Sequence, residues 1–297
     1  MTQCPGVVVK SRGPQRRSAH LFSRHNSWNT EITHMYCGLM NHYPNQSSPS
    51  QRFQFEAEQF LAALENISPD SFTACFGWTA HEIAAHLAAA SIEVALNLEA
   101  YRDGRSVPPT RGFEEREAPF RQMDDPLLRS ELPKSIARMS KALDEVLMNE
   151  PDAVVPWTGR QMVVKTFVTH LRSEFAIHRF DLVGDDEIGN ELLAQPEITF
   201  HAVTVLGGAL LARGSKSQTS PFRAVIGSPG ASDIMVIVDD QGSRMLLSEE
   251  ASEPSVIGDP AARLLFLWGR RPGDPSRLSA PAGSKVLSDM QKLLAGY

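Results

Sequence analysis

Residues 174–181 read Glu-Phe-Ala-Ile-His-Arg-Phe-Asp, and they lie in a segment of about 161–183 whose apolar spacing predicts a helix. Glu174 and His178 are four positions apart, which separates them by roughly 40° around a helix and about 6 Å along it. One helix face therefore presents a carboxylate beside an imidazole. This pair supplies two of the three protein ligands that a catalytic zinc site typically has.

The third ligand is expected from His86, far upstream on a second predicted helix. Thr79 is a favourable N-cap for that helix, and Glu82, three residues later, completes a capping box. Trp78 and Ile83 flank the cap and can form a hydrophobic staple. The first turns are rich in alanine, which lets another helix approach closely, and His86 lies in the second turn.

Each of these features also has an ordinary explanation. A lone histidine on an alanine-rich helix is more often a core or surface residue, and Glu–His pairs occur on many exposed helices. Here Phe167 and Leu171 place Glu174 on an inward stripe, where a buried carboxylate requires a cation or strong hydrogen bonds. Two imidazoles and one carboxylate suit zinc, with a fourth position open for water or a thiolate.

Three further residues near this pattern are candidates for other roles. His170 lies four positions before Glu174 on the same stripe, so it is either a ligand or a residue of the surrounding pocket. Asp181 either holds a ligand histidine in its tautomer or forms a salt bridge at the helix end. His81 lies roughly 140° from His86 around their helix, so both cannot face one metal.

The apolar pattern predicts an α-helical region followed by a smaller α+β region. The four amphipathic helices are predicted at about 50–67, 79–102, 126–149 and 161–183. Residues 104–124 are expected to form a charged loop, and 49–185 a metal-binding four-helix bundle. Residues 185–191 are an expected boundary, and 190–297 a small α+β domain. Its predicted elements are a helix at 196–213, strands at 222–226, 234–238, 245–247 and 255–257, and helices at 260–268 and 284–295.

Residues 1–48 contain several arginines, a single acid and no sustained apolar period, which predicts a disordered extension. They reflect either a start assigned too far upstream, with Met35 or Met40 as the true start, or an organelle transit peptide. The formal net charge of −6 gives no reason to expect nucleic acid or an anionic membrane as partner. An odd number of cysteines without a CxxC motif favours a reducing cytoplasm, and no apolar run of about 18 residues predicts a membrane span.

Three motifs then occur in order along the chain. Residues 76–87 read Phe-Gly-Trp-Thr-Ala-His-Glu-Ile-Ala-Ala-His-Leu, and 174–182 read Glu-Phe-Ala-Ile-His-Arg-Phe-Asp-Leu. Residues 258–272 run from Gly-Asp-Pro-Ala-Ala to Leu-Trp-Gly-Arg-Arg-Pro. Over about 50–297 these motifs resemble the mycothiol-dependent maleylpyruvate isomerase family, whose N-terminal domain is similar to the DinB-type metal-binding bundle.

The resemblance implies that His86, Glu174 and His178 bind a divalent metal, expected to be zinc, and that mycothiol is the thiol cofactor. In the family the metal activates this thiol, because a coordinating thiol is deprotonated. The thiolate adds to the double bond of maleylpyruvate, and rotation and elimination give fumarylpyruvate. An anionic ligand requires a cation, for which Arg270 is the expected catalytic residue; alternatively, Arg270 is a surface arginine at a helix C-terminus.

The expected function is therefore that of a cytoplasmic enzyme, monomeric or a small homo-oligomer, that uses a thiol to isomerise or modify a small electrophile. His170 is the expected cofactor-binding residue. The alternative is a non-catalytic bundle that binds a metal or another ligand.

Overall fold

Long helices form the N-terminal half of the described chain. The computed structural model describes residues 50–214, 220–248 and 252–295, so the disorder predicted for 1–48 lies outside the described residues. The helices of this half are α1 (Gln51–Glu65), α2 (Ala80–Arg102), α3 (Phe113–Arg121), α4 (Asp125–Asn149) and α5 (Thr166–Val183). Helix α2 packs along α4, and α1 packs along α5, so the four predicted long helices form two packed pairs.

Helix α2 begins where the sequence predicts because its capping box forms. The Thr79 hydroxyl accepts the Glu82 backbone N–H at 3.3 Å, and the Glu82 carboxylate accepts the Thr79 N–H at 2.8 Å. By length and composition α2 could cross a membrane, but 78% of its apolar window is buried inside the protein. Its apolar character is therefore that of a core helix.

Two predictions for the N-terminal half are wrong. The segment 104–124, expected to be a loop, contains helix α3, whose buried residues are Arg116 and Glu117. Because α3 buries charged side chains, it has no apolar stripe that hydrophobic periodicity could detect. The last long helix begins at Thr166 rather than near 161, since the residues before it form an antiparallel hairpin. Its strands are β1 (Val154–Trp157) and β2 (Arg160–Val163).

The C-terminal half contains a five-stranded mixed sheet with helices. The strands are β3 (Phe222–Gly227), β4 (Asp233–Asp239), β5 (Gly242–Ser248), β6 (Val256–Gly258) and β7 (Leu278–Ser279). Their order is β5-β4-β3-β6-β7; β3 and β6 are parallel, and the other neighbours are antiparallel. The helices are α6 (Glu187–Leu193), α7 (Pro196–Thr204), α8 (Gly207–Gly214), α9 (Pro260–Leu267) and α10 (Ser284–Leu294).

The sheet and its flanking helices follow the prediction except at three places. The helix expected at 196–213 is divided into α7 and α8, where the pair Gly207–Gly208 weakens helix propensity. The expected boundary at 185–191 includes most of α6, and the two-residue strand β7 was too short to predict. The hairpin turn between β4 and β5 lies at 239–242 as predicted.

Helix α5 belongs to the packing of both halves. Its residues Ala176, Ile177 and Phe180 join the apolar core that contains Leu265 and Trp268 from the C-terminal half. The C-terminal end of α5 is therefore fixed against the segment that follows α9. The division into domains 49–185 and 190–297 stays a prediction.

Replacement of Thr79 should show how much the capping box stabilises α2. We expect Thr79→Ala to lower the free energy of unfolding by about 1 kcal/mol, because the backbone N–H of Glu82 loses the hydroxyl oxygen that accepts it. Thr79→Ser keeps the hydroxyl and is the matched control. Urea denaturation of both variants measures the difference, and equal midpoints would contradict the capping role.

Candidate metal centre

Three side chains converge between α2 and α5. The Nε2 atoms of His86 and His178 each lie 3.5 Å from the same atom, Oε2 of Glu174. Within the described residues, these three form a group whose ligand atoms all lie within 4.8 Å of one another. The structure therefore brings together the set predicted from the sequence.

The spacing of these atoms fits a tetrahedral metal site. Ligand atoms about 2.0–2.1 Å from a tetrahedral zinc lie roughly 3.4 Å apart, close to the two nitrogen–oxygen distances observed here. Two imidazoles and one carboxylate leave a fourth position for a water molecule or a thiol. The donor set and geometry thus suit a divalent cation with one exchangeable ligand.

The His86 ring is held by a carboxylate from α3. Its Nδ1 lies 2.7 Å from Oε1 of Glu117, whose side chain is fully buried. Arg121 donates to the other carboxylate oxygen of Glu117 at 2.9 Å and so compensates its charge. Because Nδ1 is engaged, the Nε2 atom of His86 is the one directed at Glu174.

The His178 ring is held in the same way by a carboxylate of its own helix. Its Nδ1 lies 2.9 Å from Oδ2 of Asp181, a buried carboxylate. Arg270 binds Asp181 through two hydrogen bonds, of 3.0 and 2.8 Å, and donates a third to the Trp268 carbonyl oxygen at 3.0 Å. Both interpretations that the sequence left open for Asp181 are therefore observed together.

The ionisation of the cluster follows from these contacts. Burial opposes ionisation of Glu174, but hydrogen bonds to His178 and His86 outweigh it and hold the pKa of this carboxyl well below its usual value. Burial also disfavours the imidazolium form of His178, yet hydrogen bonds to Asp181 and Glu174 raise its pKa.

An aromatic side chain covers the two imidazoles. The Trp78 ring lies edge-on to His86 with centroids 5.2 Å apart, and stacks on His178 at 6.2 Å. The Arg121 guanidinium lies over the Trp78 ring, 5.6 Å from its centroid. Trp78, expected only as part of a hydrophobic staple, therefore also shields the cluster from water.

A cavity of about 190 Å³ opens beside the cluster and reaches both halves of the described chain. Its wall includes His86 and Glu174 from the cluster and Trp157 from the hairpin. Leu210 and Trp268 line it from the C-terminal half. The cavity gives a small molecule access to the cluster along a largely apolar wall.

His170 lines this cavity but does not belong to the three-residue group. Its Nε2 accepts the indole N–H of Trp157 at 3.3 Å and lies 3.7 Å from Glu174. Burial lowers the pKa of His170, and the charges of Arg160, His86 and Arg116 add to this against the attraction of Glu174. His170 is thus a neutral residue beside the pocket rather than a third imidazole of the cluster.

Arg270 and His81 lie outside the group of ligand atoms. Arg270 is buried against Asp181 and is not part of the cavity wall, so it is not the surface arginine that the sequence allowed as an alternative. His81 contacts Asp125 and the Arg121 carbonyl oxygen, each at 3.2 Å, so it faces away as its position on the helix predicts.

The fold and the cluster define a helical domain with a candidate metal site, joined to an α+β region. Residues 55–183 match the model of the family described as mycothiol maleylpyruvate isomerase N-terminal domain. This region is therefore similar to that domain family, and the resemblance to the mycothiol-dependent maleylpyruvate isomerases is confirmed.

Two solved structures share this fold. The crystal structure of the mycothiol-dependent maleylpyruvate isomerase has a TM-score of 0.58 and 16% identity, covering 80% of this chain and 92% of that chain. A mutant of that enzyme, with one histidine replaced by alanine, has a TM-score of 0.57 and 15% identity over the same shares. No curated protein matches the sequence. The predicted fold class, a DinB-like helical region followed by an α+β region, is confirmed.

Loss of Arg270 should destabilise the protein strongly. Arg270→Gln leaves the buried carboxylate of Asp181 without its cation, so we expect a loss of about 3–5 kcal/mol in the free energy of unfolding. Arg271→Gln, at the exposed neighbouring position, should change it by less than about 0.5 kcal/mol. Chemical denaturation measures the free energy of unfolding of both variants. A similarly small loss in both would show that the Arg270–Asp181 pair does not stabilise the fold.

Proposed function

We propose that the protein is a metal-dependent enzyme that uses a low-molecular-weight thiol, mycothiol, on a small electrophile. The reaction is the isomerisation of a maleylpyruvate-like substrate or the transfer of the thiol to an electrophile. The observation that carries the proposal is the convergence of both imidazole Nε2 atoms on one carboxylate oxygen of Glu174, at the wall of a cavity.

In this proposal His86, Glu174 and His178 hold a divalent metal, zinc being the best match to the donor set. When bound, the metal supplies a Lewis acid that lowers the pKa of a coordinated thiol, so that a nucleophilic thiolate is present at neutral pH. Glu117 accepts the Nδ1 proton of one imidazole and Asp181 that of the other. Each histidine is thereby kept in the tautomer whose Nε2 can bind the metal.

The surrounding residues determine what reaches the cluster. Trp78 covers the imidazoles, and the apolar wall that includes Leu210 limits the entry of water. Partial exclusion of water favours addition of a thiol to an electrophile over hydrolysis. His170, held by the Trp157 indole, is proposed to contact the bound thiol cofactor from the cavity wall. We further propose that the protein acts on small molecules in the cytoplasm. It does so as a monomer or a small homo-oligomer.

Metal analysis tests the ligand set directly. We expect purified protein to contain close to one equivalent of divalent metal, and the Glu174→Ala, His178→Ala double variant to contain almost none, because too few ligands remain. Both proteins are then assayed for mycothiol-dependent conversion of maleylpyruvate, which only the metal-containing protein should support.

His81→Ala is the control for that experiment, since it removes a histidine from the helix of His86 but not from the cluster. It should retain the metal content of the unmodified protein. Equal and negligible metal in the unmodified protein and the double variant would refute the proposal. Metal without any thiol-dependent turnover would instead favour a non-catalytic binding protein.

Glu117 should control metal affinity without being a ligand. We expect Glu117→Gln to weaken metal binding by about 10–100-fold, because the His86 ring loses the acceptor that fixes its tautomer. Competition with a chromogenic chelator measures the affinity. Glu114→Gln is the matched control on the same helix, where the side chain is 80% exposed; an equal effect of both variants would contradict the role of Glu117.

A further inference from the structure

The cavity wall contains two cationic side chains and one anionic side chain. The charged residues of its wall are Arg116, Arg160 and Glu174. The carboxylate of Glu174 faces the metal cluster and would be neutralised by a divalent cation. The remaining charges of the wall are then positive, so the cavity favours an anionic ligand.

Arg116 has the geometry of an anion-binding residue. Its side chain is only 8% exposed, and its guanidinium carbon lies 5.7 Å from the Phe113 ring centroid and 5.8 Å from that of Trp157. Its buried Nε atom has no hydrogen-bond partner within the described residues. Among residues 50–214, 220–248 and 252–295, its ion pair is a contact of 3.8 Å with Glu117. A guanidinium that lies near two aromatic rings and has an unpaired Nε–H is suited to a planar oxyanion.

The carboxylates around Arg116 are already engaged. Glu117 accepts from Arg121 at 2.9 Å and contacts His86 at 2.7 Å, so its two oxygens serve the metal cluster. Leaving the buried Nε–H of Arg116 unpaired costs free energy, which a ligand carboxylate would recover. The missing partner of Arg116 is therefore expected to arrive with the ligand.

We propose that Arg116, supported by Arg160 on the same cavity wall, binds a carboxylate group of the electrophilic substrate. The inference rests on the proposed function, because it assigns substrate recognition within the same cavity. It replaces Arg270, which the sequence suggested for an anionic ligand and which is already bound to Asp181. Arg116 fixes the carboxylate at one end, so the reactive part of the substrate lies toward the cluster.

Binding of succinate tests this inference, because succinate has two carboxylates and no double bond to react. Isothermal titration is carried out on the metal-loaded full chain with succinate and with the neutral diamide succinamide. We expect Arg116→Gln to weaken succinate binding at least tenfold, which corresponds to about 1.4 kcal/mol, and to leave succinamide unaffected. Arg105→Gln, an exposed arginine away from the cavity wall, is the control and should bind both compounds as the unmodified protein does.

Two further measurements keep the outcome interpretable. Arg116→Lys retains the charge but not the planar fork, so succinate should bind with intermediate affinity, even where Arg116→Gln fails to fold. Repeating the titrations after metal removal should preserve the difference between the unmodified protein and Arg116→Gln.

Unchanged succinate affinity in Arg116→Gln, or no succinate binding by the unmodified protein, would overturn the inference. If the unmodified protein and Arg116→Gln bind succinate equally, and the enzyme contains metal and is active, the carboxylate site is overturned while the proposed function stands. An Arg116-dependent affinity in protein that lacks metal and turnover would support the site and refute the proposed function.

Discussion

Two hydrogen bonds between carboxylates and imidazoles determine the arrangement of the candidate site. Glu117 holds the Nδ1 atom of His86, and Asp181 holds that of His178. Each bond fixes one ring so that its Nε2 atom faces Glu174. Because the participating carboxylates are buried, these bonds operate at low local dielectric, where they are strong and where losing a partner is costly.

This constraint explains why distant parts of the chain meet at one place. A buried carboxylate requires a compensating cation, and each of the two has an arginine of its own. Arg121, at the end of α3, compensates Glu117, and Arg270, beyond α9, compensates Asp181. The short helix α3 and the C-terminal half thus both contribute to holding the cluster, although neither supplies one of its three ligand atoms. Packing of α5 into the C-terminal core keeps Asp181 within reach of Arg270.

The sequence was sufficient for the features that depend on local spacing. The four-residue interval between Glu174 and His178, and the capping box that positions the helix of His86, are properties of single helices. Glu117 could not be found in this way, because it lies 31 residues from His86 in a segment without an apolar period. The role of Arg270 depends on a partner 89 residues away, so a single sequence could suggest a cation there but not its carboxylate.

The same pairing determines which charges remain for a ligand. With Arg121 and Arg270 committed to buried carboxylates, neither can provide the positive charge that an anionic substrate requires at the cavity. Arg116 differs because Glu117, its nearest acid, already serves His86 and Arg121. For stability alone, an apolar side chain at this buried position would serve better than a guanidinium whose Nε–H is unpaired. The proposed substrate carboxylate would supply the charge that complements this cation beside the cluster.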